Sequence, residues 1–394
     1  MDKPVCNETR GSARKLKILF ADSVRIWGGA QRFVLESAEG LASRGHRVVI
    51  QTHPGTPLAT RASERGLPLQ EVSTRTDSAP WTVLPLAARM RRRPYDVVVT
   101  TWDKDLRTTG LAAKLCGRGT VIIHTRECDD PLKDRLRYRW FYNHIASHIL
   151  VNSRATLATT LRSAPWLDEN RTSILYKGIE LRGYESPDGA GWRGRLDPDR
   201  NRVVIGYAGQ LIDRKRIDVA MRELAGPGVV ELPWHLAIAG RGPAEERLRA
   251  EARRLGIEER VGFCGFVDGL HDWMASIDIF VLPSLVEGFG YVLAEAGAAG
   301  KPSIAYRASS VPEVVVEGET ALLAEPGNDD EFGRHLRRLI GDASLRERMG
   351  AAARRDVFAR HGLNTMVERM EAQMFRLVDH ASRGRAEKQH WEAR

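Results

Sequence analysis

Leu282-Pro283-Ser284-Leu285-Val286-Glu287-Gly288-Phe289-Gly290-Tyr291-Val292-Leu293-Ala294-Glu295-Ala296 reads as a strand ending at Pro283, a glycine-punctuated loop, and a helix beginning near Gly290. The free amides at a helix N-terminus, helped by the helix dipole, form a site for an anionic group. Glycines let the backbone come close to such a ligand. Glu287 falls in the loop, and Glu295 lies about one and a half turns into the helix. Both carboxylates can accept hydrogen bonds from sugar or ribose hydroxyls. Taken alone, the pair reads more plainly as a helix cap and a residue on a solvated face.

The segment sits inside a repeating rhythm of strand and helix. Leu16–Ala21 is a short apolar run followed by the loop Trp27-Gly28-Gly29. A helical pattern then carries Phe33, Leu35, Ala38 and Leu41, and Gly45 closes it. Strands are predicted at Arg47–Ile50, Asp96–Thr100, Thr120–Ile123 and His148–Val151. Residues 180–201, rich in Gly, Pro, Asp and Arg, carry no periodicity and read as a linker. The rhythm restarts with strands at Val203–Tyr207, Leu236–Ala239, Val261–Phe263, Ile279–Leu282 and Pro302–Ala305, and after residue 328 the pattern is helical. Near-continuous β-branched runs separated by helices mean parallel sheets covered on both faces. In such sheets ligands bind at the carboxyl ends of the strands.

Size and composition agree. A chain of 394 residues suits two domains, and 42% hydrophobic with 28% charged residues is ordinary for a globular protein. No apolar run approaches the roughly 20 residues that span a bilayer. The polar residues 1–15 read as a disordered lead-in without the apolar stretch of a signal peptide. Cys6, Cys116, Cys128 and Cys264 form no CxxC pair, so neither a zinc site nor a disulfide framework is indicated, and a cytoplasmic location is expected. The net charge of +9 fits an Arg-rich surface, an anionic ligand or an anionic membrane face. No nucleic-acid-binding signature accompanies it.

The segment around Glu287 resembles the E-x7-E signature of retaining GT-B glycosyltransferases, in particular the large GT4 family. Gly265-Phe266-Val267-Asp268 is similar to that family's turn near the nucleotide base, and Ile238-Ala239-Gly240-Arg241-Gly242-Pro243 to its G-x-G-P loop. Ala299–Pro302 and Val311-Pro312-Glu313 match stretches after the motif. Trp27-Gly28-Gly29-Ala30-Gln31-Arg32 resembles its GGA(E/Q)R loop, and Asn152-Ser153 its N-S strand ending. The matches run in order over residues 16–360.

The resemblance implies two Rossmann-like domains with parallel sheets facing across a cleft. Residues 16–180 would form the acceptor-side domain, 181–201 the linker and 202–360 the nucleotide-sugar domain, with a helix in 361–394 returning to the first. It implies a retaining transfer, without metal or other cofactor, from a UDP- or GDP-linked sugar to a hydroxyl of a glycan, lipid-linked or small-molecule acceptor. Glu287 would orient the donor sugar, Lys215 would neutralise the leaving phosphate, and His124 would lie near the sugar; these are the candidate catalytic residues. The amides around Gly288, Phe289, Gly290, Tyr291 and Val292 would hold the diphosphate, and Glu295 the ribose. Gly28 and Gly29 would let a loop close over the phosphates, while Gly240, Phe266 and Val267 would lie on the nucleotide side. Gln210 stands where the family has arginine; it donates hydrogen bonds but carries no charge, so Arg214 or Arg216 would have to supply one. Lys177-Gly178 replaces the family's Asn-Gly.

A second reading follows from Gln210: a catalytically weak sugar-nucleotide-binding or partner subunit. A sugar-nucleotide epimerase shares the two-domain shape but not these motifs, and no strand is followed by the G-x-G-x-x-G pattern of a dinucleotide oxidoreductase. The acceptor is written in loops 53–80 and 101–108 without a recognisable code; Trp102, Asp103 and Arg126 are the candidate contacts. Along Asp130–Tyr142 a helix would turn Leu132, Leu136 and Trp140 towards the core and its Arg and Lys outwards. The other reading is a basic surface for an anionic acceptor or for peripheral contact with the inner face of the membrane, to which Arg89-Met90-Arg91-Arg92-Arg93 could add.

Overall fold

The computed structural model describes residues 14–73 and 79–392, with side chains to Arg383. Cys6, all but the end of the expected lead-in, residues 74–78 of the expected acceptor loop and residues 393–394 fall outside these. Contacts group the chain into two compact units. The first runs to Thr125 and adds Arg139–Ile149 and the chain from Glu371; the second comprises Arg126–Tyr138 and Leu150–Met370.

Strands β1 (Lys17–Ala21), β2 (Arg47–Thr52), β3 (Leu69–Glu71), β4 (Val97–Thr100), β5 (Val121–Arg126), β6 (His148–Val151) and β7 (Thr172–Ile174) form a seven-stranded sheet in the order 3-2-1-4-5-6-7. The pairings from β3 through β5 are parallel. Strands β8 (Val203–Ala208), β9 (Trp234–Ala239), β10 (Val261–Gly265), β11 (Ile279–Leu282), β12 (Ser303–Tyr306) and β13 (Ala321–Ala324) form a six-stranded parallel sheet in the order 10-9-8-11-12-13. Both orders reverse beside the first strand, β1 next to β4 and β8 next to β11. That reversal is where doubly wound sheets open a crevice for a ligand.

The central strands β4, β5, β11 and β12 are buried along their whole length, as continuous apolar runs require. Helix α1 (Gly29–Ser43) buries Phe33, Leu35, Ala38 and Leu41, and Gly45 beyond it has φ +90°. Helices α2 (Pro57–Glu64) and α3 (Pro80–Arg92) follow in the first unit. Glu371, where the chain rejoins this unit, accepts from Nε2 of the buried His46 at 2.7 Å and pairs with Arg44 at 2.8 Å. The other ring nitrogen of His46 takes the Leu16 amide at 3.1 Å.

Three strands escaped the sequence reading. β3, β7 and β13 are sheet-edge strands of three or four residues, too short for a period to show, and β13 is Ala-Leu-Leu-Ala, composed of helix formers. The stretch read as a linker contains a 3-10 turn at Arg182–Tyr184 and a helix at Ala190–Leu196. Arg193 fastens that helix to Asp278 at 2.7 Å and to the Ser276 carbonyl at 3.1 Å. The stripe expected along 130–142 does not form. Helix starts only at Leu136, and although Leu132 is buried, Leu136 is 83% and Trp140 47% exposed.

Candidate functional site

In the second unit the loops after β8, β9 and β11 form one cluster of candidate residues. The β8 and β9 loops touch backbone to backbone: the Gly209 amide donates to the Ala239 carbonyl at 2.9 Å, and the Leu211 amide to the Arg241 carbonyl at 3.0 Å. Gly240 makes this possible. Its φ is +148°, and a Cβ there would stand 1.8 Å from the Gly209 carbonyl oxygen. Phe266 is 54% exposed beyond β10, with Val267 half-buried behind it.

The β8 loop carries the cations. Lys215 Nζ donates to Glu287 Oε1 at 2.5 Å, with both side chains largely buried. The guanidinium of Arg214 donates to the Val286 carbonyl at 2.9 Å. Gln210 is exposed, and Arg216 faces away from this loop towards Asp329 at 3.3 Å. Burial and the charge of Glu287 push the Tyr207 hydroxyl far above its ordinary range.

Glu287 is fixed from behind as well. Its carbonyl accepts from the hydroxyls of Ser309 and Ser310 at 2.5 and 3.1 Å. Gly288 follows because a Cβ would meet the Glu127 carbonyl oxygen at 2.1 Å. Gly290, at φ +88°, starts the helix Tyr291–Ala298 in the left-handed region. Phe289 is buried edge-on against Tyr291 and His361, with centroids 5.6 and 5.5 Å away. Tyr291 and Val292 are half-buried in the first turn, and Glu295 is buried one helical turn further on. The acidic pair, the glycines and Lys215 thus gather around one helix start.

In the first unit the carboxyl ends of β1, β4 and β5 form a second cluster. His124 lies inside β5 and is 2% exposed. The Thr100 hydroxyl is 3.0 Å from its Nδ1, and the Tyr142 hydroxyl is 3.0 Å from its Nε2. Tyr142 donates onward to Asp103 at 2.7 Å, so Nε2–H of His124 donates to the phenol oxygen. Trp102 donates its indole N–H to Asp22 at 3.1 Å, and Gln31 donates to the same carboxylate at 3.0 Å. Burial and the adjacent charge of Asp22 hold the Asp105 carboxyl well above the usual range. Gly28 is an extended N-cap with only ordinary contact at its Cβ position, and Gly29 opens α1.

Trp102, Asp103 and His124 therefore come together. Arg126 belongs to the second unit, where it donates to Thr160 at 2.9 Å and to the Asp130 carbonyl. Sequence reading passed over Asp22, Tyr142, Ser309 and Glu127, the buried partner of Lys177 at 2.9 Å. Each acts through a partner far along the chain, and only Asp22, at the end of a predicted strand, carried a signal.

Two sequence profiles match. One, described as "Glycosyl transferases group 1", covers residues 191–356; the other, "Glycosyltransferase Family 4", covers residues 27–182. N-acetyl-alpha-D-glucosaminyl L-malate synthase of Bacillus anthracis is 31% identical over 363 residues, 87% of this chain and 93% of the relative. The lipopolysaccharide core biosynthesis glycosyltransferase LpsE of Rhizobium meliloti is 27% identical over 82% of this chain and 88% of its own length. The structure of Anabaena Alr3699/HepE in complex with UDP and glucose is alike in fold, with a TM-score of 0.79 at 23% identity, over 91% of this chain and 99% of that one. With profiles over both halves and a full-length relative above 30% identity, the chain belongs to the group 1 glycosyltransferases and carries the two parallel-sheet, Rossmann-like domains of the GT-B fold.

Proposed function

We propose that this glycosyltransferase acts with retention of configuration and without a metal ion. It moves a sugar from a UDP- or GDP-linked donor to an acceptor hydroxyl in glycan, glycolipid or polysaccharide assembly in the cytoplasm. The observation that carries the proposal is the 2.5 Å contact of Lys215 with Glu287 at the start of the helix Tyr291–Ala298. A cation and a helix N-terminus meet there, and both suit a diphosphate. On binding, Lys215 turns from the carboxylate towards the leaving phosphate, and Glu287 is released to orient the sugar. The donor phosphate then takes the acceptor proton on the same face from which the sugar leaves. Electrostatic stabilisation by prepositioned groups is the main catalytic lever in such a reaction.

The test is a panel of UDP- and GDP-sugars, with the anomeric configuration of the product read by NMR. Retention, activity in EDTA and loss of activity in Glu287→Ala are expected. Inversion, or a panel left untouched by wild type and variant alike, overturns the reading. The exposed Gln210 favours one alternative, a weakly catalytic partner subunit. Gln210→Arg would then raise a very low turnover substantially, and an unchanged rate counts against it.

A further inference from the structure

Helix α3 packs one face inward through Val83, Leu86, Ala87 and Met90. On the opposite face Trp81, Leu84, Ala88 and Arg92 follow at helical spacing, and all are exposed. Trp81 is 73% and Leu84 60% exposed, which is unusual for side chains of that size. The C-terminal half of the helix carries Arg89, Arg91, Arg92 and Arg93, all exposed. Helix Leu111–Leu115 packs beside α3 and extends the same character with Lys114, Leu115 (49% exposed) and Arg118. The two helices are tied by Arg91 Nε, which donates to the Cys116 carbonyl at 3.4 Å. Residues 79–95 and 106–120 contain no Asp or Glu at all. Asp96, just beyond, accepts the Lys17 amide at 2.7 Å.

We infer that this face of α3 and the helix Leu111–Leu115 docks on an anionic lipid bilayer, with Trp81, Leu84 and Leu115 entering the headgroup layer and the arginines meeting lipid phosphates. An amphipathic surface that combines exposed Trp and Leu with unopposed cations has the chemistry of an interfacial helix. A soluble anionic partner would account for the arginines and leave the exposed Trp81 and Leu84 unexplained. This docking goes beyond the proposed chemistry and does not depend on which sugar is transferred. None of its residues belongs to the candidate site.

The full chain is sedimented with vesicles of phosphatidylcholine alone and with vesicles that also contain phosphatidylglycerol. Binding to the second kind only, weakened by salt, is expected. Trp81→Ala/Leu84→Ala and Arg89→Gln/Arg92→Gln/Arg93→Gln should each weaken that binding by about tenfold or more. Both should keep the wild-type Tm and the wild-type rate on a soluble acceptor; Arg91 is left intact for its tie to Cys116. Sedimentation with neither vesicle, equal sedimentation with both, or variants that bind like wild type overturns the inference. So does a wild-type dimer that the Trp81→Ala/Leu84→Ala change converts to monomer, which would assign the face to a second copy of the chain.

Discussion

Lys215 and Glu287 hold each other in a largely buried pair, side chains 13% and 10% exposed. Removing one partner of such a pair leaves the other charge without compensation. Lys215→Ala is therefore expected to lower kcat about a hundredfold, the usual effect of deleting one group that stabilises developing charge. Lys215→Arg should restore part of it, with rates read from nucleotide release. His361 is a second residue with a measurable signature. Burial lowers its pKa to about 4 from an ordinary 6.5. Between those values the unfolded chain binds a proton that the folded chain refuses, so stability falls as pH drops from about 6.5 to about 4, by about 3 kcal/mol when complete. Urea titrations at neutral and acid pH should show this loss in the wild type and a smaller one in His361→Phe. The motif residues were legible because they lie within a few positions of one another. Tyr142 was not, since its partners Asp103 and His124 come from two other strand ends.

Among elements, the loops after β8, β9 and β11 keep their shapes through contacts that only glycine permits. Gly240→Ala would drive a Cβ into the Gly209 carbonyl oxygen and also strain a positive φ. A loss of about 2 kcal/mol or more is expected, visible as a lowered Tm. Gly288→Ala would push the Glu287 loop off the Glu127 carbonyl. Activity should fall further there than stability, which rates and Tm measured on the same sample would separate. The glycines of these loops were visible in the sequence, but their physical reason was not: the atoms they avoid belong to neighbouring loops. Core strands announced themselves through β-branched runs, whereas β3, β7 and β13 stayed hidden at the sheet edges. Along 130–142, the spacing of Leu132, Leu136 and Trp140 suggested a buried stripe. The chain is helical only from Leu136 to Trp140, with a wider π-helical turn to Ile145, so that spacing never lay on one helix.

For the molecule as a whole, the correct nucleoside diphosphate should raise Tm by mass action, worth about 2.7 kcal/mol at a hundred times its Kd. A UDP and GDP series would identify the base, and Glu295→Ala should diminish the shift. The alternation of runs made two parallel sheets legible, but neither their strand orders nor the division of contacts. No local pattern reveals that the first unit borrows Arg139–Ile149; the chain from Glu371 joins it too, a return that only the resemblance had implied, and for residues 361–394. That borrowing bears on how the protein is made. A ribosome delivers the chain from its N-terminus, and domains usually fold as they emerge. Here the unit that is synthesised first stays unfinished until residue 371 has been made, because that is the acid that meets His46 and Arg44. The second unit, complete at Met370, has every residue it needs before the first does, so the order of completion inverts the order of synthesis.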